Sequence, residues 1–391
     1  MRITKTLLAS AALAFGAVTA AQAADDLKIG MVLPMSGPHA SYGLQILNGA
    51  KLYIQEHGDT VAGRKVVLLV KDDTGVAPEI SKRAAQELVV QDKVDILAGF
   101  GLTPSAFAVA PLSAQAKVPM VVMNAATSSV TTRSPYIVRT SMTLPQNSAP
   151  IATWALDNGI KNVYTLVADY GPGHDAEKQF IKTFTEGGGK IVGEVRTPVK
   201  NPDFSPYMAR IQDAKPDAIF MFVPSGEQGV SFLKSYADRG LAKDGIKLIA
   251  TGDLTDEDVL DAMGDPALGL ITSFHYSDAH DSELNKKYTE AYAKAYPNTR
   301  PNFMSMGGYD GLQLIYKVLE ETNGDASGDA FIEAAKGMAW ESPRGPISID
   351  PETRDIIQDI YIRKVERRNG RLENVEFDKI EAVKDPGKAG A

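Results

Sequence analysis

The chain has 391 residues, of which 44% are hydrophobic and 23% are charged, an ordinary composition for a protein that buries sizeable cores. Its 41 basic and 49 acidic side chains give a formal charge of -8, which excludes nucleic acid and anionic membrane surfaces as expected partners. Because the chain contains no cysteine, a disulfide scaffold, a thiolate metal site and a lipidated cysteine anchor are excluded as well.

The first 23 residues have the pattern of a secretory signal peptide. Arg2 and Lys5 precede the apolar and small-residue run Leu7–Ala21, and Ala21-Gln22-Ala23 has the small-x-small pattern of a cleavage site. The run is too short and too rich in alanine for a membrane span, which needs about 20 strongly apolar residues. We therefore expect an exported, soluble, periplasmic protein that begins at Ala24. A buried N-terminal helix is the alternative interpretation.

From Leu27 onward, short β-type runs alternate with helical stretches. The predicted strands of the first half are Leu27–Pro34, Lys65–Lys71, Ile96–Gly99 and Met120–Met123, and the predicted helices are Gly43–His57, Val76–Gln91 and Pro104–Ala116. Strands that alternate with helices of this length predict βαβ units and a parallel sheet covered by helices on both faces.

The same alternation restarts after Leu144-Pro145. Helices are predicted around Trp154 and over Asp175–Glu186, Tyr207–Gln212 and Gln228–Arg239, and strands over Asn162–Val167, Ile191–Thr197, Ala218–Val223 and Lys247–Thr251. The tail is predicted to contain helices Ser282–Tyr296, Tyr309–Thr322 and Ala330–Lys336 and strands Gly345–Asp350, Ile357–Lys364 and Leu372–Phe377, with a hairpin turn at Asn369-Gly370. Two successive α/β halves are therefore predicted, as expected above about 250–300 residues.

In open parallel sheets, ligands bind beyond the carboxyl ends of the strands, so the segments that follow the strands are candidate binding loops. The loop after the first strand contains His39 and Tyr42, and the Tyr42 ring offers an aromatic wall with a hydroxyl. Packing of Tyr42 within its own lobe is the alternative interpretation.

The loops after the third and fourth strands predict an anion site. Phe100, Leu102, Thr103 and Ser105 follow the third strand, and Thr103 before Pro104 is typical of a helix N-cap, where free N–H groups favour a carboxylate. The fourth strand is followed by the small and hydroxyl-rich segment Ala125-Ala126-Thr127. Either loop alone would be ordinary helix capping, whereas two in succession favour a shared anion site.

In the second half, Tyr170, Pro224-Ser225 and Asp253 follow predicted strands. Tyr170 is a second candidate aromatic wall. Asp253 is the acidic group expected to face the crevice, where it would pair with an ammonium or accept a hydrogen bond from a hydroxyl. Its alternative role is to cap the helix around Asp258–Ala262.

Signals for catalysis, metals and cofactors are poor. The motifs G-x-S-x-G, H-E-x-x-H and the P-loop are absent. Asp72-Asp73 are expected to be solvated rather than metal ligands, and His275 and His280 are expected to be surface or loop residues. We therefore expect no catalytic residue, no metal site and no cofactor, and keep an exported α/β enzyme only as an alternative class.

Several segments carry a family resemblance, in order along nearly the whole chain. The segments LKIGMVLPMSGPHASYG, KDDTG, GFGLTPSAFAVAP, NAATSS, DYGPG and YDGLQLIY resemble the leucine/isoleucine/valine-binding type of periplasmic binding protein. The resemblance implies a type I periplasmic binding fold, α/β with two Rossmann-like lobes joined by three hinge crossovers near Thr140–Thr143, Ser273–Tyr276 and Arg344–Ile349. Lobe 1 would comprise residues 24–141 and 276–346, and lobe 2 residues 142–275 and 347–391.

The resemblance also implies roles for individual residues. The solute carboxylate would be held by Leu102, Thr103 and Ser105 together with Ala125, Ala126 and Thr127, while Tyr42 and Tyr170 would contact the solute. Two departures concern the ammonium end of the site. Asp253-Leu254 stands where amino-acid binders carry Glu-Gly, and Pro224-Ser225 stands where they carry an aromatic residue.

We therefore expect the extracytoplasmic solute-binding component of an ABC importer, a monomer that captures a small hydrophobic or aromatic carboxylate by hinge closure and delivers it to an inner-membrane permease. The segments NAATSS, RTS, DYGPG and HYSDAH are similar to those of family members assigned to aromatic acids. A branched-chain amino acid is the alternative solute, and a ligand sensor is an alternative class with the same fold.

Overall fold

The computed structural model describes residues 25–388, so the predicted signal peptide lies outside the described residues. The described chain forms two β-sheets with helices packed around them, which confirms the predicted α/β class with two halves. Between residues 25 and 388, no helix combines the length and the apolar character needed to cross a membrane.

The first sheet has six strands in the order β2-β3-β1-β4-β5-β6. These strands are β1 (Leu27–Leu33), β2 (Thr60–Val61), β3 (Arg64–Asp72), β4 (Ile96–Gly99), β5 (Met120–Val122) and β6 (Ile137–Arg139). All neighbours except β2 and β3 are parallel. Its connecting helices are α1 (Ala40–His57), α2 (Pro78–Gln86) and α3 (Thr103–Ala116). The strand order reverses between β1 and β4, which places a binding crevice at that point.

The second sheet has nine strands, of which eight lie in the order β12-β13-β14-β11-β10-β9-β7-β8 and β15 pairs with β14. These strands are β7 (Asn162–Ala168), β8 (Lys190–Thr197), β9 (Ala218–Phe222), β10 (Lys247–Thr251), β11 (Ile271–Phe274), β12 (Ala339–Ser342), β13 (Gly345–Ile349), β14 (Ile356–Arg368) and β15 (Arg371–Val383). Strands β7 to β11 are parallel, and the strand order reverses between β7 and β9. This sheet therefore has a crevice of its own at that point.

The remaining helices cover both sheets. They are α4 (Leu144–Asp157), α5 (Gly171–Glu186), α6 (Ser205–Ala214), α7 (Glu227–Arg239), α8 (Glu257–Met263), α9 (Glu283–Ala295), α10 (Phe303–Glu321) and α11 (Gly328–Ala335). Helix α10 packs against α1 and α11 packs against β6, so the late helices join the first half. The contact between α1 and α10 is close because a Cβ at Gly308 would lie only 2.0 Å from the carbonyl oxygen of Ile46.

Most predicted elements are present, and the differences have local causes. Helix α10 begins at Phe303 rather than at the predicted Tyr309, because the Asn302 side chain accepts hydrogen bonds from the amides of Met304 and Ser305 and caps the helix there. The hairpin turn predicted between β14 and β15 is confirmed, since Asn369 and Gly370 both have positive φ. The short strands β2, β6, β11 and β12 were not predicted.

The chain passes between the halves at segments that buried arginines hold in place. Arg344 donates from Nη1 to the carbonyl oxygen of Ser141 (3.1 Å), from Nη2 to that of Thr140 (2.5 Å) and from Nε to Asp310 (2.8 Å). The predicted lobe boundary after residue 346 falls inside β13 of the second sheet. The exact division into lobes stays a prediction.

Candidate functional site

The loops at the two reversal points face each other across a small cavity. It is lined by residues of both halves: Tyr42, Gly101, Leu102, Thr103, Asn124, Ala125, Ala126, Met142, Leu144, Tyr170, Pro172, Phe222, Pro224, Asp253 and Phe303.

The first half contributes two loops that are hydrogen-bonded to each other. Asn124 Nδ2 donates to the carbonyl oxygen of Gly101 (2.7 Å), and the hydroxyls of Thr103 and Thr127 are 3.0 Å apart. Helix α3 takes Leu102 rather than Thr103 as its N-cap, which corrects the predicted cap. Thr103 is already helical, and its hydroxyl bonds the neighbouring loop.

This arrangement leaves the N-terminus of α3 directed at the cavity. Among the residues that the structure describes, no side chain caps this helix, whose first residues Leu102 and Thr103 line the cavity. The first N–H groups of a helix have no partner within the helix, and the helix dipole favours a negative charge beside them. The geometry therefore supports binding of an anionic group at this end of the cavity.

Aromatic rings form the walls between the two ends. Tyr170 stacks on Phe222 with their ring centroids 6.1 Å apart, and Tyr42 and Phe303 lie on the side of the first half. The Tyr42 hydroxyl donates to the carbonyl oxygen of Ser225 in the second half (2.9 Å), so Tyr42 does not pack only within its own lobe. Rings of this kind suit a flat apolar body between them.

Asp253 is the acidic residue of the cavity lining. It is 5% exposed and accepts a hydrogen bond from the Thr251 hydroxyl (2.8 Å), and no basic side chain within residues 25–388 forms an ion pair with it. Burial is the main cause that raises the pKa of Asp253 to about 7. Its alternative role was wrong, because Asp256 caps α8 by accepting from the Asp258 amide (3.3 Å). A solute that donates a hydrogen bond would therefore satisfy a buried carboxylate.

Eight of the predicted site residues line the cavity: Tyr42, Leu102, Thr103, Ala125, Ala126, Tyr170, Pro224 and Asp253. Four others lie behind them. Phe100 is fully buried in the core between the first sheet and α3, and Ser105 bonds to buried Asp73 and to Ser81 beneath the site. Thr127 supports Thr103, and the Ser225 hydroxyl donates to the carbonyl oxygen of Asp253 (3.0 Å).

His39 lies on the outer side of Tyr42. Its ring packs edge-to-face on the Tyr42 ring, with centroids 5.2 Å apart, and it lines a second, outer cavity that also includes Lys200 and Ser225. Burial, followed by the charge of Lys200, lowers the pKa of His39. The structure therefore places His39 beside the candidate site rather than in it.

Two polar residues are more deeply buried than expected: Asp73 was expected to be solvated, and His275, expected on the surface or in a loop, does lie in the loop after β11. Asp73 is fully buried, because Ser105 and the amide of Gly75 donate to its carboxylate, and burial raises its pKa. His275 is 1% exposed, and burial lowers its pKa well below the usual value. The described part of the chain contains no group of three or more His, Cys, Asp or Glu residues that could hold a metal ion.

Several lining residues were not predicted from the sequence. Asn124 lies two residues after the end of β5 and could have been found by the rule that located its neighbours. Its buried Oδ1 has no partner in the described structure. Phe222 is the last residue of β9 and could have been found in the same way. Met142 and Leu144 lie at a crossover, and Phe303 begins a helix, so no strand-end rule locates them.

Two α/β halves that enclose a small cavity, with an uncapped helix end on one side and a buried acid on the other, define a solute-binding protein. A family model described as periplasmic binding protein matches residues 26–371. The chain belongs to this family.

Its relatives are solute-binding proteins. The chain is 47% identical to Leu/Ile/Val-binding protein homolog 6 of Brucella melitensis, over 98% of this chain and 99% of that protein. It is 57% identical to the solute binding protein of an ABC transporter from Rhodopseudomonas palustris BisB5 in complex with 3,4-dihydroxybenzoic acid, with a TM-score of 0.90 over 93% of this chain and 99% of that one. It is 44% identical to a second such protein from R. palustris, in complex with 4-hydroxybenzoate, with a TM-score of 0.91 over 94% and 100%.

Proposed function

We propose that this protein is the exported solute-binding component of an ABC importer and that its solute is a small aromatic carboxylate. The observation that carries the proposal is the cavity itself, in which an uncapped helix end and aromatic rings face Asp253. The carboxylate would bind at the N-terminus of α3, and the ring would lie between Tyr42 and Tyr170. The relatives in complex with hydroxylated benzoates support this choice.

Asp253 favours a solute with a ring hydroxyl. A buried carboxylate without a cation is costly, and a phenolic hydroxyl that donates to it would offset that cost. Plain benzoate would leave Asp253 without this donor. We therefore rank hydroxylated benzoates above benzoate.

The binding mechanism is closure of the two lobes on the solute. The loops of the first half would take the carboxylate first, and the second half would then bring Tyr170, Ser225 and Asp253 over the ring. The closed form would be recognised by an inner-membrane permease, with the protein acting as a periplasmic monomer after removal of residues 1–23. N-terminal sequencing of the exported protein tests that cleavage.

Isothermal titration of the refolded, solute-free protein tests the solute class. The panel contains 4-hydroxybenzoate, 3,4-dihydroxybenzoate, benzoate, L-leucine, L-isoleucine and L-valine. Tight binding of the hydroxybenzoates and none of the amino acids supports the proposal, and the reverse order refutes it. Recovery of chemically unchanged solute after incubation distinguishes binding from an exported enzyme.

A branched-chain amino acid is the second candidate, because Asp253 could pair with an ammonium group and the Brucella relatives are called Leu/Ile/Val-binding homologs. Asp253→Asn separates the candidates. An ammonium loses an ionic partner in this variant and its affinity should fall steeply, whereas a phenol keeps an amide oxygen to donate to. Equal losses for an amino acid and for 4-hydroxybenzoate would remove the ammonium argument.

A further inference from the structure

Arg139 is a fully buried arginine at the end of β6, directly behind the loop of residues 124–128. Its Nη1 donates to the carbonyl oxygens of Ala125 (2.9 Å) and Thr127 (2.8 Å), and its Nη2 donates to that of Ser128 (3.2 Å). Its Nε donates to Asp355 Oδ1 (2.8 Å), and Nη2 lies 2.7 Å from the same oxygen. All five N–H donors of the planar guanidinium therefore have an acceptor.

The carbonyl groups of Ala125 to Ser128 are all engaged by donors of the protein. Besides the three oxygens that bond to Arg139, the carbonyl oxygen of Ala126 accepts from the amide of Leu144 (3.1 Å). In a trans peptide the C=O and N–H bonds point in opposite directions. Since the carbonyl oxygen of Ala125 points at Arg139, the N–H of Ala126 points to the opposite side, where Ala126 lines the cavity.

The neighbouring amides are already directed elsewhere. The amide of Ala125 donates to the carbonyl oxygen of Phe100 (2.9 Å), that of Thr127 to Thr103 Oγ1 (3.4 Å) and that of Ser128 to Asp175 Oδ2 (2.7 Å). The orientation of the peptide between Ala125 and Ala126 therefore decides whether this loop presents an N–H donor or a carbonyl acceptor to the solute.

We propose that Arg139 is a positioning residue for the solute carboxylate. It acts through the loop, because it holds the carbonyl oxygen of Ala125 on the side away from the cavity and so directs the amide of Ala126 into the cavity. This inference rests on the proposed function only for the presence of a carboxylate in the solute, and it holds for an aromatic acid and for an amino acid alike.

The test compares a carboxylate with its neutral amide. Isothermal titration gives the ratio of the affinities for 4-hydroxybenzoate and 4-hydroxybenzamide in wild type, Arg139→Gln and Arg139→Lys. We expect Arg139→Gln to weaken binding of 4-hydroxybenzoate about 10- to 100-fold and to have a smaller effect on 4-hydroxybenzamide. Without Arg139 the Ala125 carbonyl can turn towards the solute, where it would repel a carboxylate but could accept a hydrogen bond from the NH2 group of the amide. Arg139→Lys keeps the charge without the fork and should not restore the ratio. An unchanged ratio, or full rescue by lysine, overturns the proposal.

Arg344→Gln is the matched control, because Arg344 is equally buried but bonds to the carbonyl oxygens of Thr140 and Ser141 at a crossover. This variant should lower the affinities for 4-hydroxybenzoate and 4-hydroxybenzamide by the same factor, so that their ratio stays the same. If no Arg139 variant folds, hydrogen exchange of the Ala126 amide in the wild type tests the proposal. 4-Hydroxybenzoate should protect this amide from exchange more than 4-hydroxybenzamide does. Equal protection by the two compounds overturns the proposal. Absence of 4-hydroxybenzoate binding in the wild type would instead count against the proposed function, and L-leucine with L-leucinamide then gives the same ratio.

Discussion

The hydroxyl of Tyr42 donates a 2.9 Å hydrogen bond across the cleft to the backbone carbonyl oxygen of Ser225. Tyr42 lies in α1 of the first half, and Ser225 lies between β9 and α7 of the second half. Both residues are buried. Opening of the cleft would separate them, so this bond stabilises the closed form alone.

Tyr42→Phe should therefore weaken solute binding through faster release. The lost bond is worth about 0.5–1.5 kcal/mol, which corresponds to an affinity about 2- to 12-fold weaker. Stopped-flow measurement of the dissociation rate checks this. Tyr236→Phe is the control, because the Tyr236 hydroxyl donates to the carbonyl oxygen of Ile246 within the second half. It should lower the unfolding temperature and leave the dissociation rate unchanged; a similar rate change in both variants would contradict the assignment.

Gly171→Ala should make closure of the cleft less favourable. A Cβ at this first residue of α5 would lie 2.6 Å from Thr127 Oγ1, which belongs to the first half. We expect a loss of about 1–3 kcal/mol in binding free energy, as for overpacked contacts, with little change in the unfolding temperature of the solute-free protein. Titration and calorimetry measure the two effects.

Gly173→Ala, two residues further along α5, should lower the stability of the protein rather than its affinity for the solute. Its Cβ would lie 1.8 Å from the carbonyl oxygen of Ala168 in the same half, so the clash remains when the cleft is open. The unfolding temperature should fall in this variant. A Gly171→Ala protein that binds with wild-type affinity would show that the halves need not approach this closely.

The sequence was sufficient to predict the two halves and the loops at the strand ends, because hydrophobic periodicity and strand-helix alternation are local signals. It also predicted Tyr42, Tyr170 and Asp253, each of which lies in the segment between a strand and the body of the next helix. These residues line the cavity because parallel strands bring their carboxyl ends to one edge of a sheet.

The remaining features depend on contacts between distant segments. Thr103 looked like an N-cap, but the hydroxyl of Thr127 engages it from the next loop. Asp73 looked exposed because Ser105, whose hydroxyl donates to it, lies 32 residues further along the chain, and His275 looked exposed because the Phe303 ring packs against it from α10. Phe303 reaches the cavity only because α10 packs back onto the first half. Local patterns contain no information about such pairings.

Thr103→Val should weaken binding of a carboxylate solute about tenfold. The variant keeps the shape of the side chain but removes the hydroxyl that joins the two loops, which leaves Thr127 Oγ1 without this buried partner. Titration with 4-hydroxybenzoate checks the effect. Thr289→Val is the control, because the Thr289 hydroxyl makes a solvent-exposed bond within α9, to the carbonyl oxygen of Lys286. Wild-type affinity in Thr103→Val would remove the link between the two loops from the binding mechanism.

The last prediction concerns the pH dependence of binding at Asp253. In an open cleft the carboxyl is solvated and its pKa lies near the usual 3.8, whereas burial in the closed form raises it to about 7. Between these values the closed form binds more protons than the open form, so closure is favoured at low pH and lost as the pH rises through 7. Benzoate brings no hydrogen-bond donor, so its affinity should fall as the pH rises from 5 to 7, by up to about tenfold per pH unit.

A ring hydroxyl changes this dependence. By donating to the ionised carboxylate, 4-hydroxybenzoate lowers the pKa of Asp253 in the complex and should show a much flatter profile. Asp253→Asn has no proton to exchange and should bind both acids with flat profiles over the same range. Titrations at pH 5, 6, 7 and 8, repeated in buffers of different ionisation enthalpy, report both the affinity and the proton uptake. Identical slopes for the two acids in the wild type would show that Asp253 does not contact the ring hydroxyl, because the donor would then leave its protonation unchanged.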